Sequence, residues 1–155
     1  MSKVAEYQLV MDGNKANNLI MEREIDYQET NLHHPRKIVD FLKDIYDMEN
    51  LAVEHLYLLA HDTKMNVIGI FLIGKGTVNG VHVTPREIYI SALLAGAVNI
   101  TLCHNHPSGD SSASREDIKM AERIEEAGKI VGVSLVDNII IGKGEYYSFA
   151  EQDLL

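Results

Sequence analysis

Two histidines one residue apart, His104 and His106, followed by Ser114 and Asp117, are the residues of this chain best suited to chemistry. Two imidazoles and a carboxylate are the donor set a catalytic zinc ion prefers, and three protein ligands leave a fourth position for water. The histidines close an apolar run, so on a loop they can turn toward one point, and on a continuing strand they share a face. Pro107 to Ser112 is rich in turn formers, which lets the chain reverse and bring Asp117 back to them. Each part also has an ordinary explanation. Loop histidines can bond to backbone, and Ser114 with Asp117 reads as a capping box at a helix start. These roles are compatible. A capping serine oxygen accepts a backbone N–H and keeps its own proton to donate, and one Asp117 oxygen can cap while the other binds metal. A hydrolytic zinc site also needs a base for its water. Among many carboxylates, Glu54 is marked only by standing at the start of an apolar strand.

The elements that must position these groups are readable in part. Pro35 suits the first position of a helix, and Ile38, Val39, Phe41, Leu42, Ile45 and Tyr46 recur at helical spacing. His55 to Ala60 and Asn66 to Ile73 read as strands around an Asp62-Thr63-Lys64 turn, the second closed by Gly74-Lys75-Gly76. Thr84, Pro85 and Glu87 start a second helix, which ends near Ala95 at Gly96. Val98 to Cys103 is a buried strand that delivers His104 and His106 at its end. Ser114 caps a third helix, with Gly128 expected to stop it. Lys129 to Ile141 is rich in β-branched residues, with a turn at Gly142 to Gly144 and a last strand at Tyr146 to Phe149. This order predicts an α/β protein with a single mixed β-sheet flanked by helices. Residues 1–34 form an N-terminal arm. Val4 to Met11 and Leu19 to Tyr27 read as strands around Asp12-Gly13, with partial disorder as the alternative. The arm is expected to pair with the body or with another subunit.

Composition narrows the function classes. At 155 residues and 46% hydrophobic, the chain makes one domain with a real core. A net charge of -9 argues against a broad basic surface for nucleic acid, though not against a small local patch. One cysteine, Cys103, excludes a disulfide framework and fits a reducing cytoplasm. At the end of a strand it is best read as a small buried apolar residue. The start is polar, with no apolar leader segment, and no apolar run approaches the roughly 20 residues of a membrane span. The expectation is a soluble cytoplasmic protein. His33, His34, His55, His61 and His82 lack a ligand pattern, and Gly74-x-Gly76 is too short for a phosphate loop.

The run His104-Asn105-His106, then seven residues, then Ser114-x-x-Asp117, with a glutamate upstream, resembles the JAMM motif of JAB/MPN metalloproteases. His-Asn-His-Pro-Ser-Gly-Asp is more closely similar to the RadC family. So are Glu54 to Leu59 with Asp62-Thr63-Lys64, Gly76-Thr77, Pro85 to Ile88, Glu126-Ala127-Gly128, Gly132-Val133, Ile139 to Gly142 and Tyr147 to Phe149. The likeness covers roughly residues 35 to 151. It implies a JAB/MPN-like (cytidine deaminase-like) fold over 35–155, with zinc held by His104, His106 and Asp117 and water as fourth ligand. It implies Glu54 as general base and then general acid, and Ser114 as the group that steadies the oxyanion. The implied reaction is hydrolysis of a peptide or isopeptide bond in a peptide or protein substrate. Two departures stand out. About 34 other residues occupy the place of the family's helix-hairpin-helix region, so a DNA role carried by that region does not transfer. Asn138 stands where the family usually has histidine after Asp137.

Two functions compete. One is a zinc-dependent peptidase or isopeptidase. The other is a non-catalytic JAB module that binds a protein partner or assists DNA processing. The presence of Glu54 favours the first, because a scaffold does not need it. A zinc deaminase is disfavoured, since that chemistry typically takes one His and two Cys. A homo-oligomer formed through the arm is a further expectation.

Overall fold

The computed structural model describes residues 2–28, 32–78 and 80–155. Seven strands and three helices follow in the order β1 (Ser2–Met11), β2 (Asn17–Tyr27), α1 (Pro35–Tyr46), β3 (His55–His61), β4 (Val67–Lys75), α2 (Pro85–Leu94), β5 (Asn99–Asn105), α3 (Arg115–Val131), β6 (Ser134–Ile141) and β7 (Tyr146–Ser148). All strands join one sheet in the order β2-β1-β4-β3-β5-β6-β7. The β1–β4 and β5–β6 pairs are parallel and the others antiparallel, so the sheet is mixed as expected.

The central strands β3 and β5 are buried along nearly their whole length. Helices cover both faces, which is why these strands read as continuous apolar runs rather than alternating ones. Tyr57, Leu59, Cys103, Ile139 and Ile141 face α1 and its Ile38, Val39, Phe41 and Leu42. Leu56, Leu58, Ile100 and Leu102 face Ile88 and Ala92 of α2 and Ile124 of α3. The period of two along each strand sorts the two layers. Cys103 is buried in the first of them, and burial raises its thiol pKa well above the ordinary value.

Two hairpin turns use one device. Asp12 accepts from the backbone N–H groups of Asn14 and Ala16, and Asp62 from those of Lys64 and Asn66. Lys15 and Met65 follow in left-handed backbone, at φ 62 and 64. The carboxylate thus replaces a backbone acceptor and closes the turn.

The structure corrects four boundaries. Gly128 does not stop α3. The helix continues to Val131 and ends at Gly132, whose φ of 80 is left-handed. Gly128 is small for a different reason. A Cβ there would stand 2.3 Å from the Val133 carbonyl oxygen and 2.5 Å from the Tyr89 hydroxyl. Lys129 to Val131 are accordingly helical, and β6 begins only at Ser134. β4 runs on through Gly74 to Lys75, because β3 still pairs with it at His55. β5 includes His104 and Asn105 rather than ending at Cys103.

The segment read as an N-terminal arm contributes the β1–β2 hairpin, which extends the sheet through β4. Among the described residues, no helix is long and apolar enough to cross a membrane.

Candidate metal centre

His104 lies on β5 and pairs with Leu56 on one side and Ile140 on the other. It is 1% exposed, and its ring points to the face covered by α3. His106 follows one residue after the strand, held by its N–H to the Ile141 carbonyl. Its Nδ1 lies 2.8 Å from the carbonyl oxygen of Asp110. A carbonyl only accepts, so Nδ1 carries the proton and Nε2 presents its lone pair in the neutral ring.

The loop between the histidines and α3 is tightly folded. Gly109 is left-handed, and its carbonyl accepts from the Lys143 N–H. Gly142 allows this approach, since a Cβ there would stand 2.4 Å from the Gly109 oxygen. The chain reversal expected between His106 and Asp117 is therefore locked against the β6–β7 turn.

Ser114 caps α3 with Asp117 at N3, as the spacing predicted. Asp117 N–H donates to Ser114 Oγ at 3.0 Å, and Ser114 N–H donates to Asp117 Oδ2 at 2.8 Å. The second Asp117 oxygen, Oδ1, lies 3.2 Å from His104 Nε2. His106 Nε2 is 3.3 Å from Oδ2 and 3.1 Å from His104 Nε2. The cap and the donor cluster thus coexist on one carboxylate. Burial alone would raise the Asp117 pKa, but hydrogen bonds with His104 and His106 outweigh it and hold the group far below the usual carboxylate range. Burial likewise opposes charge on His106, while Asp117 and the Asp110 carbonyl overcome it and raise that pKa. The pocket favours positive charge. His104, His106 and Asp117 form a group that could hold a metal ion, with one donor atom from each within 4.8 Å of the others.

Glu54 precedes β3 and is 6% exposed. Its Oε1 lies 4.0 Å from His106 Nε2, so the structure brings it to the same point as the three donors. Burial raises its pKa, partly offset by the two histidines. Its backbone is clamped on two sides. Glu54 N–H donates to the Thr77 carbonyl, and Gly76 N–H donates to the Glu54 carbonyl. Gly76 permits this crossing, since a Cβ would stand 1.8 Å from the Gly80 oxygen.

The second clamp is Asn105, a residue that the motif reading passed over. Its side chain points to the opposite face from His104. Oδ1 accepts from the His55 N–H at 2.7 Å, and Nδ2 donates to the Val53 carbonyl at 3.2 Å. Asn105 thus brackets Glu54 through both chain neighbours. Its place between two histidines was visible, but its contact spans fifty residues and left no local signal.

Asn138 sits beside Leu102 on the same sheet face as His104. Its two amide atoms, like His104 Nδ1, are buried and lack a hydrogen-bond partner among the described residues. Asp137 instead serves structure, accepting from Ser148 Oγ and from the N–H groups of Asn138 and Ala150. Of the other histidines, His82 lines the groove that holds Glu54 and the three donors, while His61 and His55 are engaged elsewhere. His61 is buried against Thr101, and the His55 ring faces the Val53 carbonyl.

The RadC-like JAB domain family matches residues 32–154. A UPF0758 protein of Methanococcoides burtonii is 42% identical over 123 residues, covering 76% of this chain and 54% of that protein. One from Clostridium acetobutylicum is 37% identical over 129 residues, covering 83% and 56%. One from Clostridium beijerinckii is 44% identical over 109 residues, covering 70% and 48%. The chain spans about half the length of the curated relatives it matches. The family match takes in every element from α1 to β7 and all five residues of the motif, and on that ground the chain belongs to the RadC-like JAB domain family.

Proposed function

We propose that this protein is a zinc-dependent hydrolase of peptide or isopeptide bonds, of the JAMM type. The observation that carries the reading is the spacing of the donors. Tetrahedral zinc, with bonds of about 2.0–2.1 Å, separates its ligand atoms by about 3.3 Å. His104 Nε2 stands 3.1 Å from His106 Nε2 and 3.2 Å from Asp117 Oδ1, and His106 Nε2 stands 3.3 Å from the other Asp117 oxygen, Oδ2. Both imidazoles thus meet the carboxylate at near-ligand spacing, and one donor atom from each residue lies within 4.8 Å of the others. The carboxylates of Asp117 and Glu54 also bring two acidic groups to the place where the imidazoles of His104 and His106 converge, which suits a divalent ion.

His104, His106 and Asp117 would hold the ion, which when bound supplies Lewis acidity toward a carbonyl and lowers the pKa of a water. The chain's own groups do the rest. Glu54 receives the proton of the attacking water at its carboxylate and returns it to the leaving nitrogen. Burial raises its pKa and so makes it a better proton acceptor than an exposed glutamate. Ser114 Oγ is occupied as an acceptor from Asp117 N–H, so its hydroxyl proton is free to donate to the developing oxyanion. The groove lined by Thr77, Val81 and Val83 and by residues of α3 gives an extended chain access to these groups.

Glu54→Gln separates metal binding from chemistry. The variant should keep one zinc per chain by elemental analysis while losing at least about 100-fold in peptide hydrolysis, the scale of a lost general base. Equal hydrolysis by the variant would remove Glu54 from the mechanism. A chain that takes up zinc and cleaves no member of a broad peptide library would favour a non-catalytic JAB module.

A further inference from the structure

The chain carries a net charge of -9, yet α3 presents Arg115, Lys119 and Arg123 at successive intervals of four residues. Residues four apart stack on one helix face, and like charges at that spacing destabilise the helix. All three are exposed, and none makes an ion pair among the described residues. Other cations behave differently. On the same helix Lys129 pairs with Glu125 at 3.2 Å, and Lys43 pairs with Glu49 at 2.7 Å. The row is also placed where it can matter. Lys119 and Arg123 line the groove that contains Glu54, His104, His106 and Asp117. Glu116 is the one acidic residue of α3 on that wall besides Asp117, and it sits in the first turn, where the helix dipole favours it. Val81, His82 and Val83 line the groove from outside α3, and Met120 lies between Lys119 and Arg123 in the sequence of α3.

We propose that this groove selects an acidic polypeptide, bound extended along α3, with acidic side chains at alternate positions. The inference rests on the peptidase reading for what happens at the metal centre, and on the charge row for what is bound. The spacing is the argument. Four residues of helix rise about 6 Å. Side chains on one face of an extended chain repeat about every 6.6–6.8 Å. The two groove cations, Lys119 and Arg123, are therefore in register with two alternate carboxylates of a single strand, and exposed Arg115 continues the row beyond the groove lining toward a third. The intervening side chains of that strand face Val81 and Val83, so apolar residues there complete the pattern. Nucleic acid fits less well. The row is one residue wide on a strongly acidic molecule, and phosphate binding needs a broad basic surface.

The test uses the zinc-loaded Glu54→Gln protein, so that bound peptide is not consumed. A fluorescent ten-residue peptide with Glu at three alternate positions and Val between them is titrated by anisotropy at low salt. Its counterpart carries Gln at the same three positions, and a thymidine oligonucleotide of ten residues serves as the nucleic-acid probe. The Glu peptide should bind at least 10-fold tighter than the Gln peptide, and 150 mM salt should erode most of that difference. Adding Lys119→Glu and Arg123→Glu should reverse the preference while circular dichroism and zinc content stay unchanged. Equal binding of the two peptides overturns the proposal. So does a preference that survives the charge reversal, or tighter binding of the oligonucleotide. Cleavage by the native protein is scored separately. Cleavage without acidic preference sinks the charge row and leaves the peptidase reading standing. Acidic binding with no cleavage of any peptide does the reverse.

Discussion

Asn105 illustrates how a residue with no chemistry of its own can govern a proposed base. Its amide spans the gap where β3 begins, and the two backbone groups it engages belong to Val53 and His55, on either side of Glu54. Removing the amide leaves the His55 N–H without its partner and frees the Glu54 segment on one side. The Gly76–Thr77 clamp remains on the other. Asn105→Ala should therefore keep all three metal donors and bind zinc nearly as well as the native chain. Hydrolysis should fall by about 10–100-fold, because a base displaced by about 1 Å loses on that order. Amide exchange at His55 should accelerate in parallel. Unchanged exchange at His55 would show that the clamp does not hold Glu54.

At the scale of elements, glycine has two different meanings in one helix. Gly132 ends α3 because its φ of 80 is costly for a residue with a side chain. Gly128 lies inside α3, where alanine would improve helix propensity by about 1 kcal/mol. Yet α2 and α3 approach there so closely that Tyr89, whose hydroxyl donates to the Ile124 carbonyl, leaves no room for a Cβ. Overpacking of this kind costs about 1–3 kcal/mol. Gly128→Ala should thus lower unfolding stability by a net of up to about 2 kcal/mol, measured by urea titration. A stabilised variant would mean that Tyr89 can move aside, and that the tight α2–α3 approach is not needed.

For the whole molecule, acid stability has an identifiable source away from the metal centre. Burial pushes the His61 imidazole down from 6.5 to about 4. The unfolded chain therefore takes up a proton that the folded chain refuses. The stability tied to the neutral ring is complete above pH 6.5 and is lost progressively as pH falls toward 4. His61→Gln keeps a hydrogen-bonding group near Thr101 and removes the titration. Between pH 7 and 4.5 the native chain should lose about 2 kcal/mol more than this variant, from the roughly 1.4 kcal/mol carried by each pKa unit. Equal losses in urea unfolding would assign the acid limb to the carboxylates. The family match also has a whole-molecule consequence. It covers residues 32–154, while the β1–β2 hairpin, outside that range, pairs through β1 with β4 in the same sheet.

Taken alone, the sequence determined whatever depends on neighbours a few residues apart. The caps at Thr84 and Ser114, the proline start of α1, the turns at Asp12 and Asp62 and the His-x-His donors are all short-range patterns, and the structure carries each of them. The donor set was legible because metal chemistry restricts which residue types can serve. Tertiary structure decided what depends on distant segments. It placed Glu54 beside His106 across fifty-two residues, which composition could not do and only the family resemblance anticipated. It assigned Asn105 to the Glu54 loop, and it moved the end of α3 from Gly128 to Gly132. The physical reason is common to these cases. Helix propensity and capping act through bonds between residues close in the chain. Clamps and close packing exist only once the sheet has brought remote backbones within hydrogen-bond reach.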